Sequence, residues 1–311
     1  MATRHVLFHR VASFNAGGHV VHAQYLNIVS AIPGIITELY LHPSIEDINN
    51  TPWAGYAGLI TRHWQPEKAD ILFLEGRDWE DLPPEQAIEE RVKVVNLIQG
   101  VRHADPDNFR YAFLNRKALR ICVSPEIEQA LRQTGRCNGP IITIPNAVSV
   151  PFLSLNTEAR TTDIAIAAVK QPAIAQQLAT ALQANTLQTD YIEPVDRISF
   201  LTRLGRSRIA IVLPGEREGF YLPALEAMAL GCLVICPDCI GNRSFCLDGE
   251  TCLMPHEYTV EALYACVMHA LAMPQQRREQ IIVAGLAMAV KHSTDRLRDQ
   301  ISNAFNHEFL N

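Results

Sequence analysis

Residues 208–249 read RIAIVLPGEREGFYLPALEAMALGCLVICPDCIGNRSFCLDG, and their pattern decides the fold. Ile209–Leu213 is a short, β-branched apolar run of the kind that forms a buried strand. It empties into Pro214–Tyr221, a polar loop that holds Gly215 and Gly219 and three charged side chains. A helix is predicted over Pro223–Leu230, opening near Leu222, because proline fits a first helical turn. A second buried strand, Leu233–Cys236, follows. Strand, glycine loop and helix N-terminus together form an anion site, since unpaired N–H groups and the helix dipole favour negative charge there. Gly219 allows backbone to approach a phosphate closely.

Glu218 and Glu226 frame that site, one before the helix and one just inside it. Carboxylates would repel a phosphate they touched. They are suited instead to accept protons from hydroxyl groups on either side of it.

The same alternation extends in both directions. In the first half, strands are predicted at His5–Val11, Ile36–Leu41, Asp70–Leu74, Val92–Ile98, Arg120–Val123 and Ile141–Ile144. Helices are predicted at Val20–Ile32, Phe109–Leu119 and Pro125–Gln133, the last with Ser124 as its N-cap. A join at Pro145–Arg160 has little periodicity. Beyond it, strands are expected at Asp163–Val169, Ile209–Leu213 and Leu233–Cys236. Helices are expected at Ala173–Gln183, Ile198–Leu204, Pro223–Leu230, Val260–Met273, Gln275–Val290 and Thr294–Phe309. This is an α/β chain of two doubly wound, Rossmann-like domains. The first domain is placed at 1–150 and the second at 151–292. Residues 293–311 are read as a final helix packing back towards the first domain.

Composition narrows the function. With 311 residues, 48% hydrophobic and 19% charged, the chain can build two cores. A net charge of −6 argues against broad nucleic-acid binding. The first residues lack a signal-peptide pattern, and the longest apolar run, Ala227–Cys236, is too short to span a bilayer. A cytoplasmic location is therefore expected, with peripheral membrane contact left open. The spacing Cys236-Pro-Asp-Cys239 raises zinc or redox chemistry, but no second pair of that spacing accompanies it. Reduced cysteines packed as small apolar residues are the better reading.

The segment EGFYLPALEAMALG, from Glu218 to Gly231, resembles the E-x7-E signature of retaining family 4 glycosyltransferases, the "glycosyl transferases group 1" of the GT-B fold. The resemblance implies two Rossmann-like domains facing across a cleft. It also implies transfer of a hexose-type sugar from a nucleotide diphosphate sugar to an acceptor hydroxyl, as in polysaccharide biosynthesis. Glu218 would contact the donor sugar and Glu226 the ribose, while the backbone of Gly219, Phe220, Tyr221 and Leu222 would meet the diphosphate. The family often has glycine where Tyr221 stands, which leaves the sugar preference open. The acceptor class and the oligomeric state are likewise left open.

Other stretches resemble the family less strongly. IAIAAVKQP ends in Lys170, which would stabilise the leaving diphosphate; the arginine often found nearby is absent, with Ala168 and Val169 in its place. Gly17 and Gly18, in the stretch Asn15–His19, match a glycine-rich loop near the donor phosphate. They lack dinucleotide-fingerprint spacing. Relatives often carry His-Asp after the strand that here ends at Gln99-Gly100. Arg102 and His103 follow, and His103 is taken as a candidate catalytic residue. His19, Gln99 and Arg102 are candidates for the acceptor or donor side, and Arg243 for phosphate or sugar. No Asp-x-Asp motif is read in the chain, which fits a metal-independent donor site, so neither a metal nor a cofactor is expected. A non-catalytic nucleotide- or glycan-binding subunit of the same fold is the alternative.

Overall fold

The computed structural model describes residues 3–11, 17–45, 47–49, 51–84, 87–148, 160–183 and 187–310. Asn15 and Ala16 of the glycine-rich stretch, and most of the Pro145–Arg160 join, lie outside these residues. The chain divides into two compact units: Met1–Asn146 with Leu297–Asn311, and Ala147–Arg296.

The first unit holds a seven-stranded sheet in the order β3-β2-β1-β4-β5-β6-β7, with every pairing parallel. The strands are β1 (Arg4–Arg10), β2 (Ile35–Leu41), β3 (Ile60–Thr61), β4 (Ile71–Glu75), β5 (Lys93–Ile98), β6 (Leu119–Cys122) and β7 (Ile141–Thr143). Central strands read as unbroken apolar runs because both faces are covered; Ile71–Leu74 are all buried. Strand order reverses between β1 and β4, and crevices for ligands open at the carboxyl edge of such a reversal. Helix α1 (Gly17–Ser30) follows β1, and α2 (Pro125–Thr134) follows β6. The Ser124 side chain accepts from Ile127 N–H, and α2 ends at Gly135 with φ of 62°, a left-handed cap that suits glycine.

Two predictions for this unit need correction. Helix α1 starts at Gly17 rather than Val20, so Gly17 and Gly18 form its first turn. Phe109–Leu119 is not an α-helix but a run of 3-10 turns over Phe109–Asn115. The cause is Arg120, fully buried at the start of β6. Its guanidinium takes the carbonyl oxygens of Phe113, Leu114 and Arg116 at 3.2, 2.8 and 2.6 Å, along with those of Ala118 and Asn138. Carbonyls that would continue an α-helix are thereby withdrawn from it. The two-residue edge strand β3 is too short to leave a periodic signal.

The second unit holds four parallel strands in the order β11-β10-β8-β9. They are β8 (Thr162–Ala167), β9 (Thr189–Ile192), β10 (Ser207–Val212) and β11 (Leu233–Ile235). Strand β9 escapes the sequence pattern because Thr189, Asp190 and Tyr191 are only partly buried. The helices are α3 (Pro172–Gln183), α4 (Arg197–Gly205), α5 (Leu222–Ala229), α6 (Val260–Ala272), α7 (Gln275–Lys291) and α8 (Thr294–Phe305). Ile164, Ile166, Ile209, Ile211, Leu233 and Ile235 pack against Leu178 and Leu182 of α3 and Leu263 and Val267 of α6. Helix α8 starts in this unit and ends in the first. There Lys93 Nζ donates to Glu308 O at 2.9 Å and lies 5.3 Å from the centre of the Phe309 ring. Among the described residues, no helix is long and apolar enough to cross a membrane.

Candidate functional site

In the second unit the strand order reverses between β8 and β10. The residues beyond those two carboxyl ends are Ala168–Lys170 and Leu213–Tyr221. Lys170 Nζ lies 3.3 Å from Glu218 Oε1, joining the two strand ends by an ion pair. The lysine side chain is half exposed and the glutamate largely covered. An ammonium on a flexible stem can leave such a pair when a stronger anion arrives.

The Glu218–Leu222 loop is held from several sides. Tyr221 N–H donates to Gly241 O at 2.9 Å. A methyl group on Gly241 would lie 2.6 Å from each of Glu218 O, Gly219 C and Phe220 N, so only glycine permits this approach. The Tyr258 hydroxyl donates to Pro214 O at 2.8 Å. Phe220 packs against Phe245 and His292, with ring centres 5.1 and 5.5 Å away.

The helix N-terminus offers fewer free donors than its sequence suggests. Leu222 N–H bonds to Phe220 O and Ala224 N–H to Tyr221 O, while Pro223 has no N–H. Among the described residues, the N–H groups of Gly219 and Phe220 have no acceptor. Donor capacity therefore sits in the loop ahead of α5 rather than in its first turn. The Tyr221 ring is buried, and burial raises its pKa well above the ordinary value, so it stays a neutral phenol.

Glu226 is 4% exposed on α5. Arg197 Nη2, at the start of α4, lies 2.6 Å from its Oε1, yet that oxygen receives no aligned hydrogen bond. Burial raises the Glu226 pKa and Arg197 only partly offsets it. A buried carboxylate held by one ion pair is costly, and a ligand hydroxyl would add a second partner. Nothing in the sequence pointed to Arg197, which stands far from the motif in a different helix. Arg243 is held by Asp238 in a two-pronged pair at 2.9 and 2.7 Å, which anchors its own loop.

All eight cysteines are free, and Cys232, Cys236, Cys239, Cys246 and Cys252 are buried. Among the described residues, no group of three or more His, Cys, Asp or Glu side chains is placed to hold a metal. The expectation of no Asp-x-Asp motif needs correction: Asp105–Asp107 of the first unit is one, and it closes a turn on itself, with Asp107 N–H donating to Asp105 Oδ1 at 3.1 Å.

A second constellation lies at the carboxyl edge of β1, β4 and β5 in the first unit. Gln99 Nε2 donates to Gly18 O at 2.8 Å and to Glu75 Oε1 at 2.9 Å, tying the end of β5 to α1 and β4. Arg10 pairs with Glu75 at 2.5 Å and Asp78 at 3.2 Å and reaches His19 Nδ1 at 2.6 Å. Burial, then Arg10, lowers the pKa of His19. His103 is buried and driven down to about 3, first by burial and then by Arg110. It is a neutral imidazole at ordinary pH, available as a hydrogen-bonding group rather than a charge. Arg102 is exposed above it. The structure thus gathers Gly18, His19, Gln99, Arg102 and His103 in one unit, and Lys170, Glu218–Leu222 and Glu226 in the other. Glu75, the centre of the first group, was missed; an acid followed by glycine at the end of ILFL was its only signal.

Residues 168–286 match the family model for Glycosyl transferases group 1. The match spans most of the second unit and makes it similar to a group 1 glycosyltransferase domain. This domain contains Lys170, Glu218, Glu226 and the loop between the two acids. Solved structures extend the comparison to the whole chain. A sucrose-phosphate synthase from Thermosynechococcus elongatus is similar, with a TM-score of 0.73 and 15% identity over 99% of each chain. HepE from Anabaena, solved with UDP-glucose, has a TM-score of 0.72 and 13% identity over 98% of this chain and 100% of that one. A glycosyltransferase from Rickettsia africae has a TM-score of 0.70 and 14% identity over 98% of each. At such identities the likeness establishes the fold, and the glycosyltransferase fold is GT-B. No curated protein sequence matches the chain.

Proposed function

We propose that this glycosyltransferase moves a hexose-type sugar from a nucleotide diphosphate sugar to an acceptor hydroxyl, with retention at the anomeric carbon and without a metal. The observation that carries the reading is the meeting of Lys170 and Glu218 across the β8/β10 reversal, 3.3 Å apart and beside the Gly219 turn. The diphosphate would draw Lys170 out of that pair and take the N–H groups of Gly219 and Phe220. Glu218, released, would accept from a sugar hydroxyl, and Glu226 from the ribose. As the bond from C1 to the phosphate oxygen breaks, Lys170 stabilises the leaving negative charge. The acceptor oxygen bonds to C1 on the same face, and its proton passes to the departing diphosphate.

Support comes from the family match over the donor domain and from HepE, whose crystals hold UDP-glucose. The test is a screen of UDP-, GDP- and ADP-sugars with purified protein, reading nucleotide release. One donor should turn over, and Lys170→Ala should slow it about 10²–10³-fold, the usual cost of losing one electrostatic stabiliser. The anomeric configuration of the product, read by NMR, should match that of the donor. Nucleotide binding without turnover for every donor and acceptor would instead leave a nucleotide-binding subunit.

A further inference from the structure

The edge of the first unit gathers several arginine side chains. Gly76 directly follows β4 and Gly100 stands two residues beyond its paired strand β5, and each lies close to a guanidinium. A methyl on Gly76 would lie 3.2 Å from Arg110 Nε, and one on Gly100 would lie 3.5 Å from Arg102 Nε. Arg110 stacks on the Phe109 ring at 4.3 Å, and Arg77 approaches the same ring at 5.9 Å. Three arginines therefore converge on one sheet edge.

Two of the acids nearby are otherwise engaged. Glu75 is held by Arg10 and Gln99, and Glu80 pairs with Arg77 at 3.2 Å. Among the described residues, neither Arg102 nor Arg110 has a carboxylate partner. The one polar side-chain contact of the Arg110 guanidinium is Asn108 Oδ1, at 3.3 Å. Arg110 is partly buried, and its pKa is lowered by burial and then by Arg102. Like charges gathered without a counter-charge cost stability, and a bound anion repays that cost.

The anion's shape follows from the donors. Guanidinium forks match phosphoryl oxygens, and stacking on Phe109 fixes the plane of one fork in advance. Gly18, in the first turn of α1, is tied to the same strand end through Gln99, so a helix N-terminus contributes to the same potential. We infer that the first unit binds a phosphoryl group through Arg102 and Arg110, so that the acceptor is a phosphorylated molecule. This rests on the transferase reading above for the word acceptor, but not for the anion site itself.

The test is calorimetric titration of the full-length protein with glucose 6-phosphate and with a short-chain prenyl diphosphate, against glucose and glucuronate. At least one phosphoryl compound should bind ten or more times tighter than both comparators; which of the two does so separates a soluble from a lipid-linked source. Arg102→Glu and Arg110→Ala should each weaken that binding at least tenfold and leave UDP binding unchanged. Because Arg102 is exposed, its variant keeps the test valid if Arg110→Ala fails to fold. Phosphoryl compounds binding no better than glucose, or glucuronate binding best, would overturn the inference. So would full phosphoryl affinity in Arg102→Glu. If phosphoryl binding depends on the arginines but no donor turns over, the transferase reading fails and the anion site stands. If turnover proceeds with neutral acceptors equally well in Arg102→Glu, the reverse holds.

Discussion

At the scale of single residues, Glu226 and Arg120 show how differently buried charge is used. Glu226 has a raised pKa, with burial outweighing its ion pair to Arg197. Its charge is therefore a liability for the empty protein and an asset only with a ligand in place. Glu226→Gln should leave the thermal midpoint unchanged or raised, and weaken nucleotide binding about 10- to 100-fold, the loss of one hydrogen bond to a charged group. Calorimetry and a melting curve on the same sample check both halves. Arg120 is the opposite case: five carbonyl oxygens consume its guanidinium. Arg120→Met should cost about 3 kcal/mol or more, because those buried acceptors lose their donors. Urea unfolding reads it. The donor segment was legible because the chemistry of Glu218, Gly219 and Glu226 is local in sequence. Arg120 was read only as the first residue of a strand, since nothing local says where a long side chain will reach.

At the scale of elements, the donor loop and the edge of the first sheet each make a prediction. Gly241→Ala would force a methyl into the backbone of residues 218–220. It should abolish nucleotide binding while most of the far-ultraviolet dichroism of the fold remains. At the first sheet edge, burial and then Arg10 hold His22 down to about 4, and burial and then Arg110 hold His103 down to about 3. Unfolded histidines take up protons from about pH 6.5 downward. Between there and the folded values the unfolded chain binds more protons, so stability falls as pH falls. Glu75 adds to this at lower pH. Burial alone would raise it, but Arg10 and His22 hold it at about 2, so its contribution is complete above its ordinary 4.5 and lost on the way down to 2. His9, which burial would lower but Asp78 and Asp81 raise, offsets part of this, so the urea midpoint should still drop from pH 6.5 to pH 4.5. His103→Gln should reduce that slope by about 1.4 kcal/mol per pH unit, the linkage of one proton.

At the scale of the whole molecule, each unit has its own parallel sheet and its own core, and the residues given donor roles in the proposed reaction, Lys170, Glu218–Phe220 and Glu226, belong to the second. Nucleotide binding should therefore protect backbone amides in residues 207–246 from hydrogen exchange and leave those of β1, β4 and β5 unchanged. At a hundredfold excess over Kd, the ligand adds about 2.7 kcal/mol to the state that binds it. Slowed exchange spread evenly over both units would contradict the assignment.

The α/β class and nearly every strand were determined by sequence alone, because parallel strands buried on both faces must be written as unbroken apolar runs. The proposed donor motif could be read there too, because its residues are neighbours along the chain. Tertiary structure alone decided the rest. It set Arg197 against Glu226, bonded the first N–H groups of α5 within the protein, and turned a predicted helix at Phe109 into 3-10 turns. It also drew Arg77, Arg102 and Arg110 to one sheet edge. Each of these depends on where a side chain or carbonyl arrives after the strands have paired, and strand pairing is not a local property of the chain.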